Sequence, residues 1–308
     1  MPDLVGQKIA ITGLTGQVAK PVATALAERN DVFGLARFSN PAVRAELEAA
    51  GVRCVTADLG GGDFGELPAD IDYLIHMAVA KTMDWDADMA ANVEGTGLLL
   101  HHCRQAKGVL HVSSTAVYHP DGHHRFAETD PLGDNHRVPA MSWMPTYSIL
   151  KIAAEGAART AARLFDIPTT IARLNVPYGH SGGWPLFQLA QVLADDPIAV
   201  HTDSPTLYNP IHDDDILRMI PGLLDVASTP ATVVNWAGVE EAGIEDWCGY
   251  FGQLTGHDVS FLPTDDVLES VAVDTTRMVE LVGPTQVSWH DGMRRLVEHF
   301  HPDLALRS

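Results

Sequence analysis

"KIAITGLTGQVA", residues 8–19, changes character twice within a few residues. Lys8–Thr12 is a short, nearly continuous apolar run of the kind that forms a strand buried on both faces of a sheet. Gly13 and Gly16 follow, and a helical pattern runs from there to about Glu28. Glycines at these two places let the chain turn tightly and bring its backbone close to a pyrophosphate. The N-terminus of the following helix supplies N–H donors and positive potential. Thr15, Gln17 and Val18 belong to the same turn, and Ala19 stands where a third glycine would sit. Strand, glycines and helix in this order form a dinucleotide-binding turn.

The same alternation continues outward. "DVFGLAR" (31–37), "VRCVTADL" (52–59), "IDYLIHMAV" (71–79), "GVLHVSS" (108–114) and "PTTIARLNV" (168–176) read as strands. Helical patterns at 41–51, 86–106 and 146–165 separate them. Short β-rich runs alternating with helices imply an α/β fold with a doubly wound parallel sheet, a Rossmann domain, over residues 1–176. Beyond about residue 177 the alternation breaks, and a smaller interleaved substrate-binding lobe is expected at 177–206 and 239–308. A strand and helix around 207–238 return to the first domain, with "TVVNWAG" (232–238) as the strand. The Asp213–Asp215 run suits a helix N-terminus, where carboxylates face the helix dipole favourably.

The end of the second strand is where the adenosine ribose is read. An acidic residue there would bind a free 2′-hydroxyl, but this strand ends in Arg37. A guanidinium can grip a 2′-phosphate through two hydrogen bonds, so NADP is the expected cofactor, with NAD as the alternative. Asp58, after the third strand, is a candidate acceptor for the adenine amino group, with a strand-end cap as its other reading. Leu59 beside it, and Met77 and Ala78 closing the fourth strand, complete the expected cofactor contacts.

Composition narrows the partners. The chain has 308 residues and a formal net charge of −20, which disfavours nucleic acid and anionic membranes. Its three cysteines have no metal-site spacing and imply a reduced, cytoplasmic protein. "MPDLVGQKIAITG" lacks the long apolar region of a signal peptide, and no apolar run approaches the roughly 18 residues of a membrane span.

"PTYSILKIAAEGA" (145–157) carries the chemistry. Tyr147 and Lys151 are four apart, which on a helix places them on one face, a turn apart. A phenol is a poor base at neutral pH unless a nearby cation favours its ionised form. "HVSSTAVYH" (111–119) ends the fifth strand with Ser113 and Ser114 at the edge where ligands bind in open α/β sheets. The set Thr12-Gly13-x-x-Gly16, Ser113-Ser114-x-x-Val117-Tyr118 and Tyr147-x-x-x-Lys151 resembles the extended short-chain dehydrogenase/reductases, the NAD-dependent epimerase/dehydratase group. "AANVEGTGLLL" (90–100), "AETDPL" (127–132), "NPIHDDDI" (209–216) and "DTTRMVELVG…SWHDGMRRLVEHF" (274–300) extend the resemblance along the chain. It implies that Tyr147 is the general acid/base and that Lys151 lowers its pKa and holds the nicotinamide ribose. Ser114 would bond the same substrate oxygen, and Asn92 would support the site. Lys81 resembles a cofactor-proximal lysine. The resemblance also implies a homodimer through the helices at 86–106 and 146–165.

The sequence departs from the sugar-nucleotide members in one region. No Lys or Arg occurs from Leu174 to Leu217, and Val176 stands where those enzymes carry a substrate asparagine, with Asn175 one residue early. His180, His201 and His212 are the basic residues there, and they are largely neutral at pH 7. A neutral small-molecule substrate is therefore expected, with Tyr118, Trp143, Val176, Trp184 and His212 as candidate contacts. The His-rich segment 119–136 matches no metal-ligand spacing, and no metal is expected. The main expectation is an NAD(P)-dependent oxidoreductase acting at a secondary alcohol or ketone. The alternative is a nucleotide-sugar 4-epimerase or dehydratase that recycles NAD internally, with Arg218 or Arg277 holding the phosphates. The third reading is a non-catalytic dinucleotide sensor.

Overall fold

The computed structural model describes residues 4–307. Its main sheet is built from β1 (Lys8–Thr12), β2 (Asp31–Ala36), β3 (Arg53–Thr56), β4 (Tyr73–His76), β5 (Gly108–Ser114), β6 (Thr169–Leu174) and the Thr232–Trp236 strand. Their order across the sheet is Thr232–Trp236, β6, β5, β4, β1, β2, β3. The pairings of β1 with β2 and β4, of β2 with β3 and of β4 with β5 are parallel. The order reverses between β1 and β4, which opens a crevice at their C-terminal ends. The register places Thr12, His76 and His111 level with one another on three adjacent strands.

The helices of this layer are α1 (Ala19–Ala27), α2 (Pro41–Ala49), α3 (Trp85–Met89), α4 (Gly95–His102) and α5 (Tyr147–Phe165). A core of Phe33, Leu74, Leu99, Val109, Ala158 and Ile171, among others, packs α4 and α5 on the sheet. The expected helix over 86–106 is in fact α3, a π-helical turn at Ala90–Glu94, and then α4. Asp84 starts it by accepting from the Asp86 and Ala87 amides. Gly95 follows the π turn where a Cβ would lie 2.6 Å from the Leu59 carbonyl oxygen, so only glycine allows this approach.

The chain divides into two compact units. The first holds the chain up to Ser114, then Thr146–Arg173 and Met219–Val234. The second holds Thr115–Pro145, Leu174–Arg218 and the chain from Asn235 onward. This differs from the expected division, since only Met219–Val234 of the segment 207–238 lies in the first unit and the second unit takes in 115–145, expected with the dinucleotide domain. Its bonds explain the grouping: the Phe126 amide donates to Ala272, the Asp274 amide to Phe126, and the Gly122 amide to Glu269. The second unit contains α6 (Trp184–Leu193), α8 (Ile244–Thr255), α9 (Thr276–Val282) and α10 (Trp289–Phe300). α7 (Asp213–Asp225) begins on the acidic run. Asp215 accepts from the Gln286 and Val287 amides and from Arg218, a larger role than facing the helix dipole. Among the described residues no helix is long and apolar enough to cross a membrane.

Candidate active site

Gly13 leaves β1 with φ +83°, and a Cβ there would meet the Ala78 backbone at 3.0 Å. A side chain would therefore push the turn off the end of β4. Thr15, Gly16 and Gln17 are exposed, Val18 is partly so, and no side chain caps the start of α1. The result is an open helix N-terminus beneath a glycine turn, which suits an anion.

Thr12 ties this turn to β4. Its hydroxyl accepts from the Met77 amide at 3.1 Å and the Ala78 amide at 3.0 Å, and it lies 2.7 Å from His76 Nδ1. His76 Nε2 lies 2.9 Å from the Thr96 hydroxyl, which donates to the Asn92 carbonyl at 2.6 Å. That carbonyl can only accept, so the Thr96 proton is spent and His76 Nε2–H must be the donor to Thr96. Nδ1 is then the acceptor and Thr12 the donor, which leaves both Thr12 lone pairs for the two amides. Every proton in the chain has one place. Burial, with His111 and Lys151 nearby, holds His76 well below the usual imidazole pKa, consistent with a neutral ring. The Asn92 side chain, in the π turn, completes the line: it accepts from the Ala80 amide at 2.7 Å and donates to the Ala80 carbonyl at 2.9 Å. Asn92 thus supports the backbone just before Lys81. Local sequence does not show how His76 and Thr96 are joined, because the line they form runs to a partner 64 residues from His76. The one available signal was a histidine closing the strand beside the glycine turn.

Tyr147 opens α5, and its phenol hydrogen-bonds the Ser114 hydroxyl at the end of β5. Lys151, 7% exposed, donates to the Val112 carbonyl at 2.9 Å. The Lys81 ammonium stands 5.7 Å from the centre of the Tyr147 ring. The structure therefore brings Ser114, Tyr147, Lys151 and Lys81 together. The electrostatics differ from expectation. Burial pushes the Tyr147 phenol up, and the Ser114 bond opposes this. Burial pushes Lys151 down to about 8, with Glu155 opposing and Lys81 reinforcing the shift. An ammonium that loses its proton near 8 is neutral before the phenol ionises, and a lysine favours a phenolate only while it is charged.

Arg37 is exposed at the end of β2, without a hydrogen-bond or ion-pair partner among the described residues. Asp58 exchanges backbone bonds with Asp63, and its carboxylate accepts from the Gly60 amide at 3.2 Å. It thus caps the turn that follows the third strand, with its side chain exposed. Leu59 packs partly on the core.

The expected substrate contacts lie in the second unit. Tyr118 is fully buried, stacked on Phe126, with its hydroxyl donating to Asn235 Oδ1 at 2.5 Å. This makes it a core residue rather than an open contact. Trp143 is exposed, Val176 is partly exposed, and Trp184 packs edge-on to Tyr208. His212 is buried, and its Nδ1 accepts from the Asp214 amide at 3.1 Å. Burial and Arg295 push it down to about 4. Asn175 is buried and spent on Val271 and Asn209. Arg218 is engaged by Asp215 and the Pro284 carbonyl. Among the described residues no group of three His, Cys, Asp or Glu side chains is placed to hold a metal ion.

The family model described as "NAD dependent epimerase/dehydratase family" matches residues 9–220. No curated protein is significantly similar in sequence. Among solved structures, the chain resembles a point mutant of UDP-glucuronic acid 4-epimerase from Bacillus cereus, in complex with UDP-4-deoxy-4-fluoro-glucuronic acid and NAD. The TM-score is 0.81 at 21% identity, over 96% of this chain and 99% of that one. UDP-glucose 4-epimerase from Thermotoga maritima, with UDP-glucose, gives 0.77 at 17% identity over 96% and 99%. The dTDP-glucose 4,6-dehydratase of Streptomyces venezuelae, with NAD bound, gives 0.78 at 21% identity over 96% and 97%.

Proposed function

The chain belongs to the NAD-dependent epimerase/dehydratase family, and from that premise we propose that it oxidises a secondary carbinol of a nucleotide-linked sugar and returns the reducing equivalent within the same catalytic cycle, as a 4-epimerase or dehydratase. The observation that carries this is the meeting of Ser114, Tyr147 and Lys151 at the C-terminal edge of β5. The similar structures contain NAD with UDP-sugars or as a dTDP-glucose dehydratase complex, which favours this over a dehydrogenase that exchanges its cofactor each turnover.

The residues present fit NAD. The uncapped α1 N-terminus and the Gly13–Gly16 turn would take the pyrophosphate. Met77, Ala78 and Lys81 border the place of the nicotinamide half, and Lys151 would hold its ribose. When bound, NAD supplies the electron-pair acceptor for carbinol oxidation and the donor for the return step. The protein's part is the proton. Tyr147 takes it from the sugar hydroxyl as the carbonyl forms and gives one back as the carbonyl is reduced. Ser114 donates to the same oxygen and fixes its position.

Arg37 and that cation-free segment favour a second reading, an NADP-dependent reductase of a neutral ketone. One experiment separates the two. Freshly purified protein is denatured and the released dinucleotide identified, and intact protein is offered UDP-glucuronic acid, UDP-glucose and dTDP-glucose. Retained NAD with turnover of one sugar is the expected result. A protein that releases no dinucleotide and prefers NADPH would favour the second. We also propose a cytoplasmic homodimer. The apolar side chains of Trp85, Met89, Leu98 and Ile149, exposed on α3, α4 and α5, suit a second copy, and the solution mass tests this.

A further inference from the structure

Three side chains at four-residue spacing on α5 meet three consecutive residues of β5. Tyr147 bonds Ser114, Lys151 bonds the Val112 carbonyl, and Glu155 accepts from Ser113 Oγ at 2.7 Å. The first two form the reacting pair of the proposed function, which does not use the third. Yet Glu155 is 1% exposed, and its carboxylate accepts from three residues. Arg173 Nε donates to Oε1 at 2.9 Å and Arg173 Nη2 to Oε2 at 2.9 Å, while Arg159 Nη2 reaches Oε2 at 3.1 Å. Arg173, also 1% exposed, comes from β6, the neighbour of β5. One carboxylate therefore fastens α5 to two adjacent strands, one helical turn beyond Lys151.

We propose that Glu155 is a positioning residue for Lys151, locking α5 in register on β5 and β6 and presenting a negative charge to the lysine ammonium. The proposal rests on the reading of Tyr147 and Lys151 as the reacting pair. A carboxylate bonded by Ser113 and two guanidinium groups stays ionised across the working pH range, and the structure holds its pKa below the ordinary value. Apart from the Val112 carbonyl that accepts from it, the other groups near Lys151 do not favour its charge. Lys81 is a like charge from the segment before α3, His76 on β4 and His111 on β5 are neutral, and Tyr147 is an un-ionised phenol. Arg173 adds a further positive charge behind Glu155. Glu155 is thus the charged group that opposes the loss of the ammonium's proton.

With only five lysines in the chain, the Lys151 side-chain resonance can be followed by NMR in lysine-labelled protein and assigned by its loss in Lys151→Met. In the parent protein its midpoint is expected near 8. Glu155→Gln should move it down by about one pH unit or more, since Arg173 is then left unpaired. The double variant Glu155→Gln with Arg173→Met removes both buried charges and restores a neutral packing. It should still titrate below the parent, by less than the single variant. A double variant with the parent's midpoint would overturn the proposal and leave Glu155 as a partner for Arg173 alone. Loss of a cooperative melt in the double variant would also overturn it, assigning the carboxylate to the fold. Failure of the catalytic reading shows elsewhere: Tyr147→Phe would keep its turnover, whatever the lysine midpoints.

Discussion

At Tyr147 the chain holds a phenol whose proton is costly to remove, beside a lysine whose proton is easy to lose. Both shifts run against the proposed acid/base role, which therefore requires a charged Lys151. If the hydroxyl is the proposed acid/base, Tyr147→Phe should cut turnover by about 10²–10⁴-fold with little change in melting temperature, because the ring keeps its packing. Steady-state rates beside a thermal melt check this. In the active protein, kcat/KM should fall as pH rises through about 8, where Lys151 loses its proton and no longer favours the phenolate. An alkaline limb well above 9 would contradict the assignment. These residues were legible because helical spacing and a strand end are local signals. His76 was not. In "IDYLIHMAV" it looks like one more strand residue, and its function lies in a proton order that only Thr12 and Thr96, brought in from elsewhere in the chain, define.

The junction of β1 with β4 shows what an element adds to its residues. Thr12 makes one donated and two accepted bonds there, all buried, and these hold the glycine turn against the 77–80 segment. Thr12→Val keeps the shape and strands two amides and a ring nitrogen. A loss of about 2–4 kcal/mol in unfolding free energy is expected, with weakened NAD binding. Thr12→Ser should restore most of both. Urea denaturation and NAD titration of the two variants test the pair, and a Thr12→Val protein that binds NAD normally would show that the turn is held by other means. The strands were read to within a few residues from their apolar runs. The sequence over 86–106 reads as one uniform helix because the π turn leaves no mark in composition. It follows from Asn92 and Gly95 meeting Ala80 and the Leu59 carbonyl, contacts that exist only after the sheet has formed.

Over the whole molecule, the alternating pattern up to residue 176 announced a parallel sheet, whereas the assignment of 115–145 to the second unit depended on backbone bonds to residues 269–274 that no local pattern encodes. The sheet also carries a stability term that no motif marks. His111 sits in mid-sheet, level with His76, and both of its ring nitrogens are buried without a partner. Burial and the Lys151 charge push its pKa down to about 3 from an ordinary 6.5. A histidine with a depressed folded pKa binds its proton more readily in the unfolded chain. It therefore costs nothing above pH 6.5 and destabilises the fold progressively as pH falls from 6.5 toward 3. At pH 5 the gap is roughly 1.5 pH units, or about 2 kcal/mol from this residue. Replacing it with an apolar residue removes both the titration and the orphaned N–H donor. His111→Leu should accordingly be at least as stable as the parent at pH 7, and its loss between pH 7 and pH 5 should be smaller by about 2 kcal/mol. Urea midpoints of the two proteins at both pH values give the comparison. Parallel acid losses would mean that His111 gains a partner or a proton within the folded protein, and the acid sensitivity would then belong to His76 and His212.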